Sequence, residues 1–240
     1  MTTAIASKQL LLRTKASFPI AVVAKAKTPS PVPADNQGTS LDELGTAHVV
    51  PRGKTVAEEG APAEYVFRIV SGAFRMVRLL PDGRRSVIDF LLPGDYFGLA
   101  ENGTYSHSLE VISDASFIRY PKEQLRRLLD SDPRASRRFF NLMCEQLSAA
   151  QDRLLMLSRK SAAERIASFI LAMADRSQRK DGAIKLPMNR ADVADYLGLT
   201  IETVSRTLSQ LKTVKVIELP TACQIILRDR DRLAAISGDN

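Results

Sequence analysis

The residues best suited to chemistry lie in the stretch Leu197 to Leu211, on the outer side of a helix predicted there. Arg206 carries a planar fork of donors that matches O6 and N7 of guanine. Glu202 can accept from the amino group of cytosine, Ile201 can touch a thymine methyl, and Ser205 lies on the same face. These residue types and spacings predict a surface that contacts base edges of duplex DNA. Glu202 and Arg206 are also four residues apart, so an exposed intrahelical ion pair worth roughly 0.3 to 0.5 kcal/mol is the plainer alternative.

The flanking residues predict a helix-turn-helix unit that positions this face. Gly198 stands where the chain must take a left-handed turn between two helices. Asn189 can cap the first helix, whose first turn contains Asp192, and Thr200 can cap the second. Three aliphatic residues recur at i, i+4 and i+7 on the inner side of the second helix: Val204, Leu208 and Leu211. Four polar residues around the unit are candidate phosphate contacts: Arg190, Thr200, Thr203 and Lys212.

The order of residues in the second helix resembles the recognition helix of the Crp/Fnr superfamily of bacterial transcription regulators, in which Glu, two residues, Ser and Arg follow one another. Here these are Glu202, Ser205 and Arg206. The resemblance to the Fnr and FixK branches implies half-sites of the TTGA type, with Arg206 reading guanine. The cAMP-receptor branch carries an arginine where this chain has Ile201, which argues against the half-site of that branch.

The resemblance extends from about Leu41 to about Ser237. Short alternating runs between Val49 and Tyr120, separated by turn residues, predict an all-β region. By resemblance this region is a β-roll sensor domain, a double-stranded β-helix of the cyclic-nucleotide-binding kind. The family's nucleotide-binding guanidinium and carboxylate would fall at Leu99 and His107. Neither side chain can fully replace the group required at its position, so we expect that this domain does not bind cAMP.

The iron-sulfur cluster of Fnr requires four cysteine thiolates. The chain has only Cys144 and Cys223, which excludes that cluster. The sequence therefore resembles the FixK-like subgroup, and we expect no cofactor. A haem-based sensor is the main rival, with His48, His107, Cys144 or a proline as possible axial ligands.

A long helix is predicted after the sensor, with Asp132 as its cap and Pro133 at its first position. Six residues on it are spaced 3, 4, 3, 4 and 3 apart, which is typical of a coiled-coil seam between two copies of the chain: Phe140, Met143, Leu147, Ala150, Leu154 and Leu157. The alternative is that this stripe packs on the β-roll of its own chain. A homodimer would match a palindromic operator.

Ser161 and Glu164 form a capping box that begins the DNA-binding domain. A short apolar run before the helix pair predicts a strand, and two apolar runs after it could pair as a wing across residues 220–222. The predicted fold class is α+β, with a flexible basic arm at 1–40, the β-roll at 41–131, the dimerisation helix at 132–159 and a winged helix-turn-helix at 160–240.

The composition agrees with a regulator that binds nucleic acid. The 240 residues carry a formal charge of +7, which favours a polyanionic partner, although part of the excess lies in the arm. We expect a cytoplasmic activator that contacts RNA polymerase, with no membrane partner. Motifs of common enzymes are absent, so we expect no enzyme, and a β-roll interaction module is the alternative of a different class. Cys223, in the wing, is a candidate redox thiol.

Overall fold

The computed structural model describes residues 44–100, 103–176 and 183–238. Within them a β-roll is followed by a long helix and a winged helix-turn-helix domain, so the predicted α+β fold class is confirmed. The predicted basic arm, residues 1–40, lies outside the described residues. None of the described helices combines the length and the apolar character that crossing a membrane requires.

The β-roll consists of two four-stranded antiparallel sheets. The first sheet has the order β1 (Thr46–Val50), β8 (Ala115–Pro121), β3 (Tyr65–Ser71), β6 (Tyr96–Phe97). The second has the order β2 (Thr55–Ala57), β7 (Ser108–Val111), β4 (Phe74–Leu79), β5 (Arg85–Leu91). The turn from β3 to β4 requires glycine, because a Cβ at Gly72 would lie 2.4 Å from the carbonyl oxygen of Asp114. Successive residues alternate between the interior of the roll and its outer faces.

Aromatic side chains fill the interior of the roll. Five of them are buried there: Phe67, Phe74, Phe97, Tyr105 and Phe117. The ring of Phe67 lies 5.5 Å from that of Phe117 and 6.0 Å from that of Phe97, while the Tyr105 ring stacks on Phe97 at 5.3 Å. The Tyr105 hydroxyl donates to the carbonyl oxygen of Tyr65, which satisfies its polar end.

Two helices follow the roll, α1 (Lys122–Ser131) and α2 (Pro133–Arg159). Helix α2 begins as predicted: the Asp132 side chain accepts from the backbone N–H of Arg134, and Pro133 occupies the first turn. Its 27 residues span about 40 Å, and none of them is buried.

Residues 162–176 and 183–238 of the C-terminal domain form four helices and a three-stranded sheet. Its elements are α3 (Ala162–Arg176), β9 (Ala183–Lys185), α4 (Arg190–Leu197), α5 (Ile201–Thr213), β10 (Ile217–Thr221), β11 (Gln224–Leu227) and α6 (Arg230–Ser237). The strand order is β10, β11, β9. The turn between β10 and β11 lies at Ala222 and Cys223, slightly later than the sequence indicated, because Thr221 still pairs with Gln224.

The two domains share one apolar core. The ring of Phe90 on β5 lies 5.1 Å from the ring of Tyr196 on α4 and 6.4 Å from that of Phe169 on α3. Val77 and Val87, on the outer face of the second sheet, belong to the same buried cluster. The helix-turn-helix unit is therefore packed directly against the roll.

Candidate nucleic-acid interface

The corner between α4 and α5 has the geometry that the sequence predicts. Gly198 adopts φ 62° and ψ 41°, the left-handed conformation, and its N–H donates back to carbonyl oxygens of Ala194 and Asp195. The Asn189 side chain caps α4 by accepting from the N–H of Asp192 at 2.8 Å. The Thr200 hydroxyl caps α5 by accepting from the N–H of Thr203 at 3.2 Å. Caps of this kind are typically worth about 1 kcal/mol each.

The inner face of α5 is buried against α4. Val204 is fully buried, Leu208 and Leu211 are 7% and 4% exposed, and Ala194 of α4 is 2% exposed at the crossing. Thr207 is also buried on this face. This packing fixes which side of α5 points away from the protein.

The outer face of α5, which we call the reading face, consists of Ile201, Glu202, Ser205 and Arg206. Ile201 is 46% exposed, Glu202 and Arg206 are exposed, and Ser205 is half-buried. In the described part of the chain no ion pair joins Glu202 to Arg206. The backbone N–H of Glu202, followed by the Thr200 hydroxyl, instead holds the pKa of the Glu202 carboxyl below its ordinary value. The intrahelical pair is therefore not formed, and the guanidinium of Arg206 points into solvent.

The candidate phosphate contacts occupy different places around the reading face. Arg190 is half-buried at the start of α4, and its Nη1 donates to Oγ of Ser205 at 3.1 Å. The hydroxyls of Thr200 and Thr203 lie 3.1 Å apart at the start of α5. Lys212 is exposed two turns beyond Ser205 on the same helix. Ser205, a candidate base contact, is therefore hydrogen-bonded to Arg190, a candidate phosphate contact. The phosphate contacts themselves stay predictions.

The predicted seam of α2 is exposed. Three of its large apolar side chains are 61 to 69% exposed: Phe140, Leu147 and Leu154. Ala150 is also exposed, while Met143 and Leu157 are half-buried. A different face of α2 packs on the rest of the chain. Nη2 of Arg153 donates to Oδ2 of Asp89 at 2.5 Å, and Phe139 packs against the buried cluster between the roll and the helices. The large side chains of Phe140, Leu147 and Leu154 are therefore not covered by the roll of their own chain.

Two groups of contacts were missed by the sequence analysis. The carboxylate of Asp192 accepts from Arg75 and Arg85, which lie on the roll more than 100 residues earlier. Arg165 donates to the carbonyl oxygens of Leu157, Lys160 and Leu197, which joins three segments of the chain. The sequence explains Asp192 as an acidic residue in the first turn of its helix. No local pattern indicates that Arg75 and Arg85 contact it.

The two cysteine thiols are both exposed. Cys144 is exposed on α2 and Cys223 is exposed in the wing turn. The N–H of Cys223 donates to the hydroxyl of Thr221 at 3.3 Å. A redox role for Cys223 stays a prediction. At the predicted nucleotide-binding position in the roll, Leu99 packs against the cluster of Val66 and Tyr120, which agrees with an apolar role there.

Comparison with known proteins identifies both halves of the chain. Residues 47–132 match the model of the cyclic nucleotide-binding domain, and residues 164–236 match that of the Crp-like helix-turn-helix domain. The nitrogen fixation regulation protein FixK of Azorhizobium caulinodans is 40% identical over 79% of this chain and 78% of its own. The transcriptional activatory protein AadR of Rhodopseudomonas palustris is 40% identical over 74% and 76%.

The solved structure of FixK2 from Bradyrhizobium japonicum superposes with a TM-score of 0.77 and 40% identity, and covers 80% of this chain and 97% of FixK2. The homologues and the fold are those of transcription regulators and not of enzymes. From the helix-turn-helix geometry and these relatives together, the chain belongs to the Crp/Fnr family of DNA-binding transcription regulators and falls among its FixK-like members.

Proposed function

We propose that the protein is an activator that binds palindromic TTGA-type operators as a homodimer, upstream of genes for microaerobic or anaerobic respiration or nitrogen fixation. The observation that carries this proposal is the reading face, which is exposed on a helix whose inner side is buried. The nitrogen-fixation names of the relatives support the class of target genes.

Base recognition follows from the chemistry of the reading face. Arg206 presents two parallel donors to O6 and N7 of guanine, and Glu202 accepts from the amino group of cytosine. A glutamate is ionised at neutral pH, and hydrogen bonds at the start of α5 lower the pKa of Glu202 further below its ordinary value. Arg190 donates to Ser205 beside these residues, and its remaining donors would contact the phosphates next to the bases.

The homodimer rests on the exposed seam of α2. An exposed apolar stripe with coiled-coil spacing is stable in water only when a partner covers it. A second copy of the chain offers a seam of the same length and spacing, and two-fold symmetry would place two reading faces on the two half-sites of a palindrome. The seam is also free of charged residues at its six positions.

Regulation without a small effector is supported by the filled interior of the roll. The aromatic side chains in that space touch each other at ring distances of 5.3 to 6.1 Å. A pocket of about 500 Å³ is an open groove on the outer face of the second sheet. A haem-dependent or small-ligand-dependent sensor is the competing proposal.

A gel-shift titration tests base recognition. The probes are a TTGATNNNNATCAA duplex and a scrambled duplex of the same composition, with the wild type, Arg206→Ala and the matched control Arg126→Ala. Arg126 is an exposed arginine on α1, away from the DNA-binding domain. We expect Arg206→Ala to lose roughly 1 to 3 kcal/mol of specific binding per half-site and little non-specific binding. Equal affinity of the wild type for both probes would contradict the proposal.

Transcription with purified RNA polymerase and no added effector tests the activator role. We expect transcripts from a promoter with the palindrome upstream, and fewer with Arg206→Ala. A requirement for haem or for a small molecule would favour the competing proposal. The cytoplasmic location and the contact with RNA polymerase are part of the same proposal and follow from the relatives' role as transcription regulators.

A further inference from the structure

A cluster of five charged side chains, which we call the interdomain cluster, joins the helix-turn-helix unit to the β-roll. It consists of Arg75, Arg85, Glu110, Asp192 and Asp195, and Oδ2 of Asp195 lies 3.6 Å from Nη2 of Arg85. Oδ1 of Asp192 accepts from Nη1 of Arg75 at 2.7 Å and from Nη2 of Arg85 at 2.8 Å. The side chain of Asp192 is only 2% exposed, so these two guanidinium groups replace the water that a carboxylate normally needs.

The two arginines are held in place by the roll itself. They lie on the neighbouring strands β4 and β5 and point to the same outer face of the second sheet. Glu110 lies opposite Arg75 in the register of β4 and β7 and accepts from its Nε at 2.7 Å. The same carboxylate lies 3.8 Å from Arg85. The roll thus presents two oriented guanidinium groups to α4.

The geometry indicates that the cluster determines the orientation of α4 on the roll more than it contributes to the stability of the fold. Removing charges from water is costly, and buried ion pairs contribute little net stability compared with apolar residues of the same size. The packing of Phe90 on Tyr196 stabilises the contact between the domains. Because apolar packing is non-directional, it does not select one orientation of the domains. The carboxylate of Asp192 is satisfied only where α4 meets both arginines, and that condition selects one orientation of α4 on the roll.

The orientation of α4 passes directly to the recognition helix α5. Ala194 and Leu197 of α4 are buried against the inner face of α5, and Arg190 of α4 holds Ser205. In the docked arrangement the reading face is open, since Ile201 is 46% exposed and Arg206 is exposed. The contact with the roll therefore uses the opposite side of the helix pair and leaves DNA access free.

We propose that Arg75, Arg85 and Asp192 are positioning residues, which hold the recognition helix in one orientation relative to the roll and thereby favour DNA binding. The effect on DNA rests on the function proposed above, whereas the domain contact itself does not. Arg85 is the better residue to change, because Arg75 still compensates Asp192 when Arg85 is lost and the protein is expected to fold.

The test compares Arg85→Gln with Arg84→Gln in the full chain. Arg84 is its sequence neighbour, is 77% exposed on its side chain, and pairs with Asp82 of its own turn. Hydrogen exchange of the amides in α4 and β5 reports the domain contact, and affinity for the TTGATNNNNATCAA duplex reports DNA binding. For Arg85→Gln we expect about tenfold faster exchange in both elements and about tenfold weaker binding, a usual size for coupling between sites. Arg84→Gln should match the wild type in both measurements.

Asp192→Asn provides a second variant with the same expected direction, and Arg85→Lys should restore part of both losses because it keeps the charge. Unchanged exchange in Arg85→Gln would overturn the domain contact. Faster exchange with unchanged or tighter DNA binding would overturn the positioning role. If the wild type fails to bind the duplex specifically, the proposed function is wrong, while the exchange data still decide whether the cluster holds the domains together.

Discussion

Nη1 of Arg190 donates to Oγ of Ser205 at 3.1 Å, which joins the first residue of α4 to the middle of α5. One guanidinium has five donors, so Arg190 can hold Ser205 and also contact a phosphate. The bond places a positive charge directly beside the reading face. It also ties the orientation of the first helix to the side chains that face the bases.

Replacing Arg190 tests its phosphate contact. We expect Arg190→Ala to weaken binding to the specific and scrambled duplexes alike, and to reduce the slope of log K against log salt by about one, because one phosphate contact is lost. Gel shifts at several salt concentrations measure this, with Arg126→Ala as the control. A loss confined to the specific duplex, with an unchanged slope, would show that Arg190 acts through Ser205 instead.

A charge in the seam of α2 should prevent dimerisation. Leu147 is 61% exposed in the single chain, and in a dimer its counterpart would meet it at the seam. We expect Leu147→Glu to raise the dissociation constant of the dimer roughly a hundredfold or more, since burying an unpaired charge costs several kcal/mol. Sedimentation equilibrium measures the change. Ser148→Glu adds the same charge to an exposed position outside the seam and should stay dimeric. A dimeric Leu147→Glu would contradict the assigned interface.

Arg165 should contribute strongly to the stability of the C-terminal domain. Its Nε, Nη1 and Nη2 donate to the carbonyl oxygens of Lys160, Leu197 and Leu157 at 2.9, 2.9 and 2.8 Å. We expect Arg165→Met to lower the free energy of unfolding by roughly 2 to 3 kcal/mol, because it leaves these carbonyl oxygens without a donor. Urea denaturation measures the loss.

The matched control for Arg165 is Arg159→Met, at an exposed arginine in the last turn of α2. It should change the stability by less than about 0.5 kcal/mol, as surface substitutions usually do. Similar losses in the two variants would mean that the three carbonyl contacts do not stabilise the domain.

The start of α5 should show a defined pH response. Hydrogen bonds from the N–H of Glu202 and then from Thr200 lower the pKa of Glu202 below its ordinary value of 4.5. A carboxyl with a lowered folded pKa adds stability above the unfolded pKa, and that stability is lost as the pH falls through the folded value. We expect Thr200→Val to raise the pKa of Glu202 toward 4.5. Titration by NMR measures it.

The control for this titration is Thr213→Val, which removes a hydroxyl at the other end of α5, where it donates to the carbonyl oxygen of Ser209. The pKa of Glu202 should be unchanged there. Thr200→Val should also destabilise the helix by about 1 kcal/mol, because it removes the cap. A pKa of Glu202 that is equal in the two variants would rule out the contribution of the Thr200 hydroxyl.

The sequence by itself determined the local features of this protein. The caps at Asn189 and Thr200, the turn at Gly198 and the inner face of α5 depend on residues at most a few positions apart, so spacing and side-chain type suffice to predict them. The reading face follows from the same periodicity, because fixing the buried side of a helix also fixes its exposed side.

Only the tertiary structure decided how these parts meet. From the sequence, the apolar stripe of α2 could pack on a second copy or on the roll of its own chain, and the structure places Arg153 on the roll and leaves Leu147 exposed. Asp192 has the ordinary pattern of a first-turn acid, yet its carboxylate is buried between two arginines 107 and 117 residues away. Such contacts depend on the path of the whole chain through two domains, and no periodicity or local spacing encodes that path.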